Sequence, residues 1–251
     1  MLRLENLVKR FGGLVATDDV SLNFPAGSLT AIIGPNGAGK TTLFNQITGH
    51  LVPTSGKIWL GDEDITGLKP VAIVRRGIGR AFQIASIFPS MTVRESLAAA
   101  VTAHRRSAFG LTSAFPCRDV ADRADELLHL LGMDKVADRI SSEISHGDQK
   151  LLDVGLALAL EPKVLLLDEP AAGMGPEERW QMMATVQRLW KSANMTLLFI
   201  EHDIELVFRT AEVIHVLRYG AVLASGTPDE IRGHPDVIEA YLGRETEEDP
   251  A

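Results

Sequence analysis

The chain has 251 residues, with 25 basic against 33 acidic side chains and a net charge of −8. That length buries a proper core in one large domain or two intimate ones, and the acidic balance argues against a dedicated nucleic-acid-binding surface, which needs a basic face. The single cysteine, Cys117, excludes an internal disulfide and suits a reducing cytosol, and the longest apolar run, residues 151–160, is too short to span a bilayer and contains Asp153.

In chain order, Leu2-Arg3-Leu4 alternates like a strand rather than a signal peptide. Strand-like runs follow at 21–24, 29–33 and 57–60, with turns at Pro25-Ala26-Gly27 and Pro53-Thr54-Ser55-Gly56. Directly after the 29–33 run comes Gly34-Pro35-Asn36-Gly37-Ala38-Gly39-Lys40-Thr41, which fits G-x-x-x-x-G-K-[ST] at every fixed position, and Thr42 opens a predicted helix over 42–48. A strand that feeds a glycine-rich turn into a helix N-terminus aims backbone N–H groups at one point and adds the favourable end of the helix dipole. Gly34, Gly37 and Gly39 let the backbone wrap phosphates where a Cβ would clash. Lys40 would reach the β- and γ-phosphates and the Thr41 hydroxyl would ligate Mg²⁺. The chain is therefore expected to bind a nucleoside triphosphate.

Residues 92–160 change period. Thr92-Val93-Arg94-Glu95 is a capping box, and Val93, Leu97, Ala100 and Val101 share a helix face. A loop over 110–118 precedes a second helix, with Val120, Ala124, Leu127, Leu128 and Leu131 on one stripe and Gly132 as its stop. A third helix is expected to start near Ser145 and end before Pro162. Strands resume at 164–167, 196–200, 213–217 and 221–224. This order predicts a helical subdomain inserted into a nucleotide-binding α/β core, ended by a short acidic tail at 244–251.

Val164-Leu165-Leu166-Leu167-Asp168-Glu169 reads as a doubly buried parallel strand that ends in two acids, at the carboxyl edge where α/β proteins place ligand chemistry. Asp168 would support the Mg²⁺ shell. Glu169 is suited to orient or deprotonate a water attacking the γ-phosphate. Gln83, after Arg80-Ala81-Phe82, and His202, two residues past the 196–200 strand, fit the same place; a neutral imidazole there could bond the γ-phosphate or the water.

With these motifs in order, nearly the whole chain, from Phe11 to about Gly243, resembles the nucleotide-binding subunit of an ABC transporter. The resemblance implies an α/β fold: a P-loop NTPase (RecA-like) core with an antiparallel β subdomain and an inserted α-helical subdomain. One domain would span 1–251, with 1–87 and 162–243 as core, 88–161 as the helical subdomain and 244–251 as the tail. It implies that Phe11 stacks on adenine, that Gln83 is the Q-loop glutamine and an Mg²⁺ ligand, and that His202 is the switch histidine. Ser145-His146-Gly147-Asp148-Gln149 stands at the signature motif, usually Leu-Ser-Gly-Gly-Gln. Ile144 precedes it, His146 replaces the first glycine, and Asp148 departs at the second-last position, while Ser145 and Gly147, expected to meet ATP on the partner subunit, are kept. Gly175 stands where many relatives carry the D-loop aspartate.

Within the family the chain is most similar to importers of branched-chain and other hydrophobic amino acids, through Phe11-Gly12-Gly13-Leu14-Val15-Ala16, the stretch after Phe88-Pro89-Ser90-Met91-Thr92-Val93, and the ending Gly226-Thr227-Pro228 with Ala240-Tyr241-Leu242-Gly243. Importers of urea, amides or aromatic acids share much of this, and a non-transport soluble ATPase of the same family is the alternative. The implied cofactors are ATP and Mg²⁺. The implied partners are membrane permease subunits, a second ATP-binding subunit (identical or paralogous) and, indirectly, a periplasmic solute-binding protein. The implied location is the cytoplasmic face of the inner membrane.

Overall fold

Two sheets and the helices between them organise residues 1–105, 117–193 and 195–242, which the computed structural model describes. Most of the predicted 110–118 loop and all of the 244–251 tail lie outside these residues. In chain order, β1 (Leu2–Phe11) and β2 (Leu14–Phe24) form a hairpin, closed by the pair Phe11 and Leu14 across Gly12-Gly13. They are followed by β3 (Leu29–Ile33), α1 (Lys40–Ile47), β4 (Ser55–Leu60), β5 (Glu63–Asp64), α2 (Pro70–Val74) and β6 (Ile78–Ala81). Then come the helices α3 (Val93–Arg105), α4 (Arg118–Leu131) and α5 (His146–Leu158). The remaining elements are β7 (Val164–Asp168), α6 (Pro176–Ala193), β8 (Thr196–Ile200), α7 (Ile204–Thr210), β9 (Val213–Arg218), β10 (Ala221–Gly226), α8 (Pro228–Arg232) and α9 (Pro235–Leu242).

One sheet is antiparallel, in the order β2-β1-β4-β5; the other has six strands, in the order β10-β9-β3-β8-β7-β6. In the second, β3 and β6 to β9 run parallel and only β10 is antiparallel, to β9. Every residue of β3, β7 and β8 is buried, as covering both faces of a parallel sheet requires. Their side chains alternate between two cores. Ala31, Ile33, Leu165 and Leu167 join the helical block and α6, while Ile32, Val164 and Leu166 join α1 and the antiparallel sheet. The antiparallel strands run well beyond the predicted segments because bulges break their alternation. Asn6 and Asp19 both take left-handed backbone (φ 48° and 53°), and Asn6 Nδ2 donates to Asp19 Oδ1 at 2.8 Å.

The helical block follows its sequence signals closely. Glu95 N donates to Thr92 Oγ1 and Thr92 N donates back to Glu95 Oε2, a reciprocal capping box. The five stripe residues of α4 are all buried, and Gly132 ends that helix with φ 74°. Ser145 caps α5, its Oγ accepting from Asp148 N at 3.1 Å. Among the described residues no helix is long and apolar enough to cross a membrane.

A buried imidazole makes this fold acid-sensitive. His215 on β9 lies edge-on to Phe24, shares a 2.8 Å bond between Nδ1 and Ser225 Oγ, and is pushed by burial from 6.5 down to about 4. Because the folded value is the lower one, this stability is complete above about pH 6.5 and is lost as pH falls towards 4. A shift of this size corresponds to on the order of 3 kcal/mol. Denaturant unfolding of wild type and His215→Gln between pH 7 and 4.5 should show the shallower acid loss in the variant; equal slopes would remove His215 from the account.

Candidate active site

The loop after β3 is built so that only glycine fits at its two tightest points. A Cβ on Gly34 would lie 2.2 Å from the Leu217 carbonyl oxygen. One on Gly39, whose φ is 99°, would lie 2.3 Å from that of Ala16. Gly39 is the N-cap of α1 and no side chain caps that end, so its first N–H groups remain available to an anion. Lys40 Nζ donates to the carbonyls of Gly34 at 2.6 Å and Pro35 at 3.1 Å, which holds the ammonium inside the loop. Burial lowers the Lys40 pKa, against the attraction of Glu169 and Asp168. Thr41 is exposed and Thr42 half-buried. A cleft of about 340 Å³ joins Phe11 at the hairpin tip, the loop from Asn36 to Thr42, and both Glu169 and His202. Pro35 lines a neighbouring cleft with Asn36, Gly37 and Ala38.

Glu169 leaves the end of β7 in a left-handed conformation (φ 51°), with its N–H donating to Ile200 O at 3.0 Å. Gln83 Nε2 donates to its Oε2 at 2.7 Å, and His202 Nε2 lies 2.7 Å from its Oε1. A carboxylate only accepts, so Nε2 of His202 carries the proton. His202 is fixed between the end of β8 and Asp203, which caps α7 through Glu205 N and Leu206 N. Two residues distant in the chain, Gln83 and His202, thus meet at the Glu169 carboxylate. Each oxygen keeps a lone pair, so the same carboxylate can still accept a proton from a water in the cleft.

Asp168 behaves differently from its neighbour. Its Oδ2 pairs with Arg80 NH2 at 2.6 Å, with both side chains nearly buried. Arg80 also donates to Asn45 Oδ1 at 2.7 Å and stacks on Phe44 and Phe82. The described residues hold no group of three or more His, Cys, Asp or Glu side chains placed to hold a metal ion. Mg²⁺ keeps several waters and phosphate oxygens and takes few protein ligands. The Thr41 hydroxyl, the Oε1 left free as Gln83 donates through Nε2, and Asp168 are the groups that could serve it.

Ser145 and Gly147 do not join this constellation. They line a separate cleft of about 410 Å³ with Met174 and residues of α6. The Ser145 hydroxyl donates to Asp148 Oδ2 at 2.8 Å, so the departure at Asp148 competes directly for the serine. His146 is exposed and lies beside Gly173. At Gly175 a Cβ would meet nothing closer than Glu178 Oε2 at 3.8 Å, so local space does not exclude a side chain there; instead Gly175 N donates to Glu178.

Sequence reasoning missed four charged groups beneath the site: Arg80, Lys150, Asp153 and Glu201, all nearly buried in place. The available signal was charge within apolar pattern, since Asp153 interrupts the longest apolar run and Arg80 sits inside the strand Ile78–Ala81. A buried charge requires a partner.

A family model described as ABC transporter matches residues 17–172, and one described as branched-chain amino acid ATP-binding cassette transporter matches residues 221–247. The chain is 41% identical over 251 residues to the high-affinity branched-chain amino acid transport ATP-binding protein LivG of Salmonella typhimurium, covering 97% of this chain and 98% of that protein. It superposes on the ADP conformation of MJ1267, an ATP-binding cassette of an ABC transporter, with a TM-score of 0.84 and 32% identity over 97% of this chain and 98% of that one. On the dimeric structure of MJ0796, a bacterial ABC transporter cassette, the TM-score is 0.77, with 25% identity over 91% of this chain and 99% of that one. A loop shaped for phosphates, a carboxylate held at its mouth and this likeness along almost the full length lead to one assignment: the chain belongs to the ABC transporter family as an ATP-binding, ATP-hydrolysing subunit.

Proposed function

We propose that this subunit drives import of branched-chain or related hydrophobic amino acids, and that it works by closing with a second copy or a paralogue around two ATP molecules. The observation that carries this reading is the division of the motifs between two clefts. Phe11, the phosphate loop, Glu169 and His202 share one, while Ser145 and Gly147 border the other. Each complete site would take its first set from one chain and its second from the other. The transported class rests on the LivG relative, whose name specifies branched-chain amino acids.

In the closed site Phe11 stacks on adenine and the backbone of Gly34 to Gly39 and Lys40 hold phosphates; Thr41, Gln83 and Asp168 would hold Mg²⁺, which would offset phosphate charge. Glu169 orients and deprotonates the attacking water, and His202 steadies Glu169 and the γ-phosphate. Residues 1–87 and 162–243 act as the core and 88–161 as the moving helical subdomain. Membrane permease subunits dock against the exposed apolar side chains Ile84, Phe88 and Met91 near Gln83, and the permeases receive solute from a periplasmic binding protein. The chain then sits peripherally on the cytoplasmic face of the membrane.

Mixing Lys40→Ala subunits with Ser145→Arg subunits tests the composite site. Each variant alone should be inactive, and the mixture should regain ATP hydrolysis because a heterodimer contains one intact site. A mixture as inactive as its components would defeat closure with a second copy; the same pair of substitutions divided between this chain and its paralogue then tests the heterodimer. Gentle solubilisation of native membranes with the tagged chain should also retain polytopic membrane subunits; recovery of soluble partners alone would favour the non-transport ATPase.

A further inference from the structure

Two buried charges on α5 face the catalytic residues from below. Lys150 and Asp153, one helical turn apart, are 4% and 5% exposed. The Asp153 carboxylate accepts from two backbone donors of the Gln83 loop, Phe82 N at 2.8 Å and Ser86 N at 3.1 Å. Phe82, Gln83, Ile84 and Ser86 are all exposed, and the loop's packing contacts are confined to its ends, Phe82 against Arg80 and His50 and Ile87 against the core. One carboxylate therefore grips the loop on both sides of Gln83. Lys150 Nζ donates to the Glu169 carbonyl at 2.9 Å, at the residue whose backbone is left-handed. The same ammonium faces Asp153 and Glu201, and Glu201 in turn accepts from Ala171 N at 2.8 Å and His202 N at 3.3 Å. Burial disfavours all three charges; the backbone N–H donors at the two carboxylates and the attraction between each carboxylate and Lys150 work against it.

We propose that Asp153 and Lys150 are positioning residues for ATP hydrolysis, Asp153 by clamping the loop that carries Gln83 and Lys150 by fixing the backbone of Glu169. Neither side chain touches nucleotide. Both lie on the helix that Ser145 caps, so α5 ties the group offered to one nucleotide to the hydrolytic residues at the other. This rests on the roles given above to Gln83, Glu169 and Ser145.

Asp153→Asn tests the clamp with almost no change in size, since it turns one acceptor into a donor facing a backbone N–H. The expected result is a fall in kcat of roughly 10- to 100-fold, as small misplacements of catalytic groups produce, with the equilibrium affinity for ATP within about twofold of wild type. In a Gln83→Ala background the same substitution should lower kcat no further, because its effect passes through Gln83. A purely structural role would instead multiply the two losses, and that result, or wild-type turnover in Asp153→Asn, overturns the proposal. Hydrogen exchange on the nucleotide-free wild type decides the matter independently of how the variant folds. The amides of Phe82 and Ser86 should be protected, and rapid exchange at both defeats the clamp. Wild-type turnover in Gln83→Ala alone would instead remove the role on which the proposal rests, and exchange at the two amides tells that failure from failure of the clamp.

Discussion

Glu169→Gln is expected to reduce ATP turnover by roughly 10²- to 10⁴-fold, the range typical of a lost general base, while ATP affinity stays within about threefold. The carboxylate is the point where Gln83, His202 and the phosphate-loop cleft converge. Glutamine fills the same volume and keeps one carbonyl oxygen for His202, so the scaffold survives. It cannot take a proton from water, and its amide nitrogen meets the amide of Gln83, donor against donor. The loss should therefore fall on kcat and leave binding intact. With hydrolysis blocked and binding intact, the two-ATP dimer should accumulate, visible as an ATP-dependent shift to the dimer in size-exclusion chromatography. Steady-state phosphate release at the wild-type rate would take Glu169 out of the chemistry. A variant that loses ATP binding would assign the carboxylate to the nucleotide seat instead.

The parts of this site that sequence exposes are those carried by short contiguous patterns. The phosphate loop is one continuous motif, and β3 and β8 lie at residues 29–33 and 196–200 as expected because strands buried on both faces read as unbroken apolar runs. The stripe of α4 is legible for the related reason that five apolar residues repeat at helical spacing. By contrast, α6 hides its inward face. Its buried residues Met182, Met183, Val186 and Leu189 alternate with a buried Thr185 and with polar neighbours, which blurs the period. The partners of the buried charges beneath the site are illegible for a different reason. Lys150 acts across 19 residues, Asp153 across 71 and Arg80 across 88, and no local pattern carries those separations. Only the parallel stacking of β6 on β7, with α5 against β6 and β7, creates the pairs.

Lys40→Ala should abolish tight nucleotide binding rather than turnover alone. Lys40 Nζ already spends two donors on the carbonyls of Gly34 and Pro35, and an ammonium has three, so one remains for a phosphate oxygen. A hydrogen bond to a charged group is worth about 1.5–3 kcal/mol, so Kd for ATP should rise roughly 10- to 100-fold for each such bond lost. Calorimetric titration should show that rise for ATP and ADP, and AMP, which has no β- or γ-phosphate, should bind as it does to wild type. The fold should tolerate the change. Removing the ammonium leaves two carbonyls short of a donor but also relieves a buried charge whose pKa burial already depresses. The nucleotide-free melting temperature should move by only a few degrees, as expected for about 1 kcal/mol in a chain of this size. Comparable loss of AMP binding would mean that the loop itself had collapsed. Unchanged ATP affinity would mean that the backbone N–H groups of the loop and of α1 hold the phosphates without Lys40, and that its work is internal, as a brace between Gly34 and Pro35.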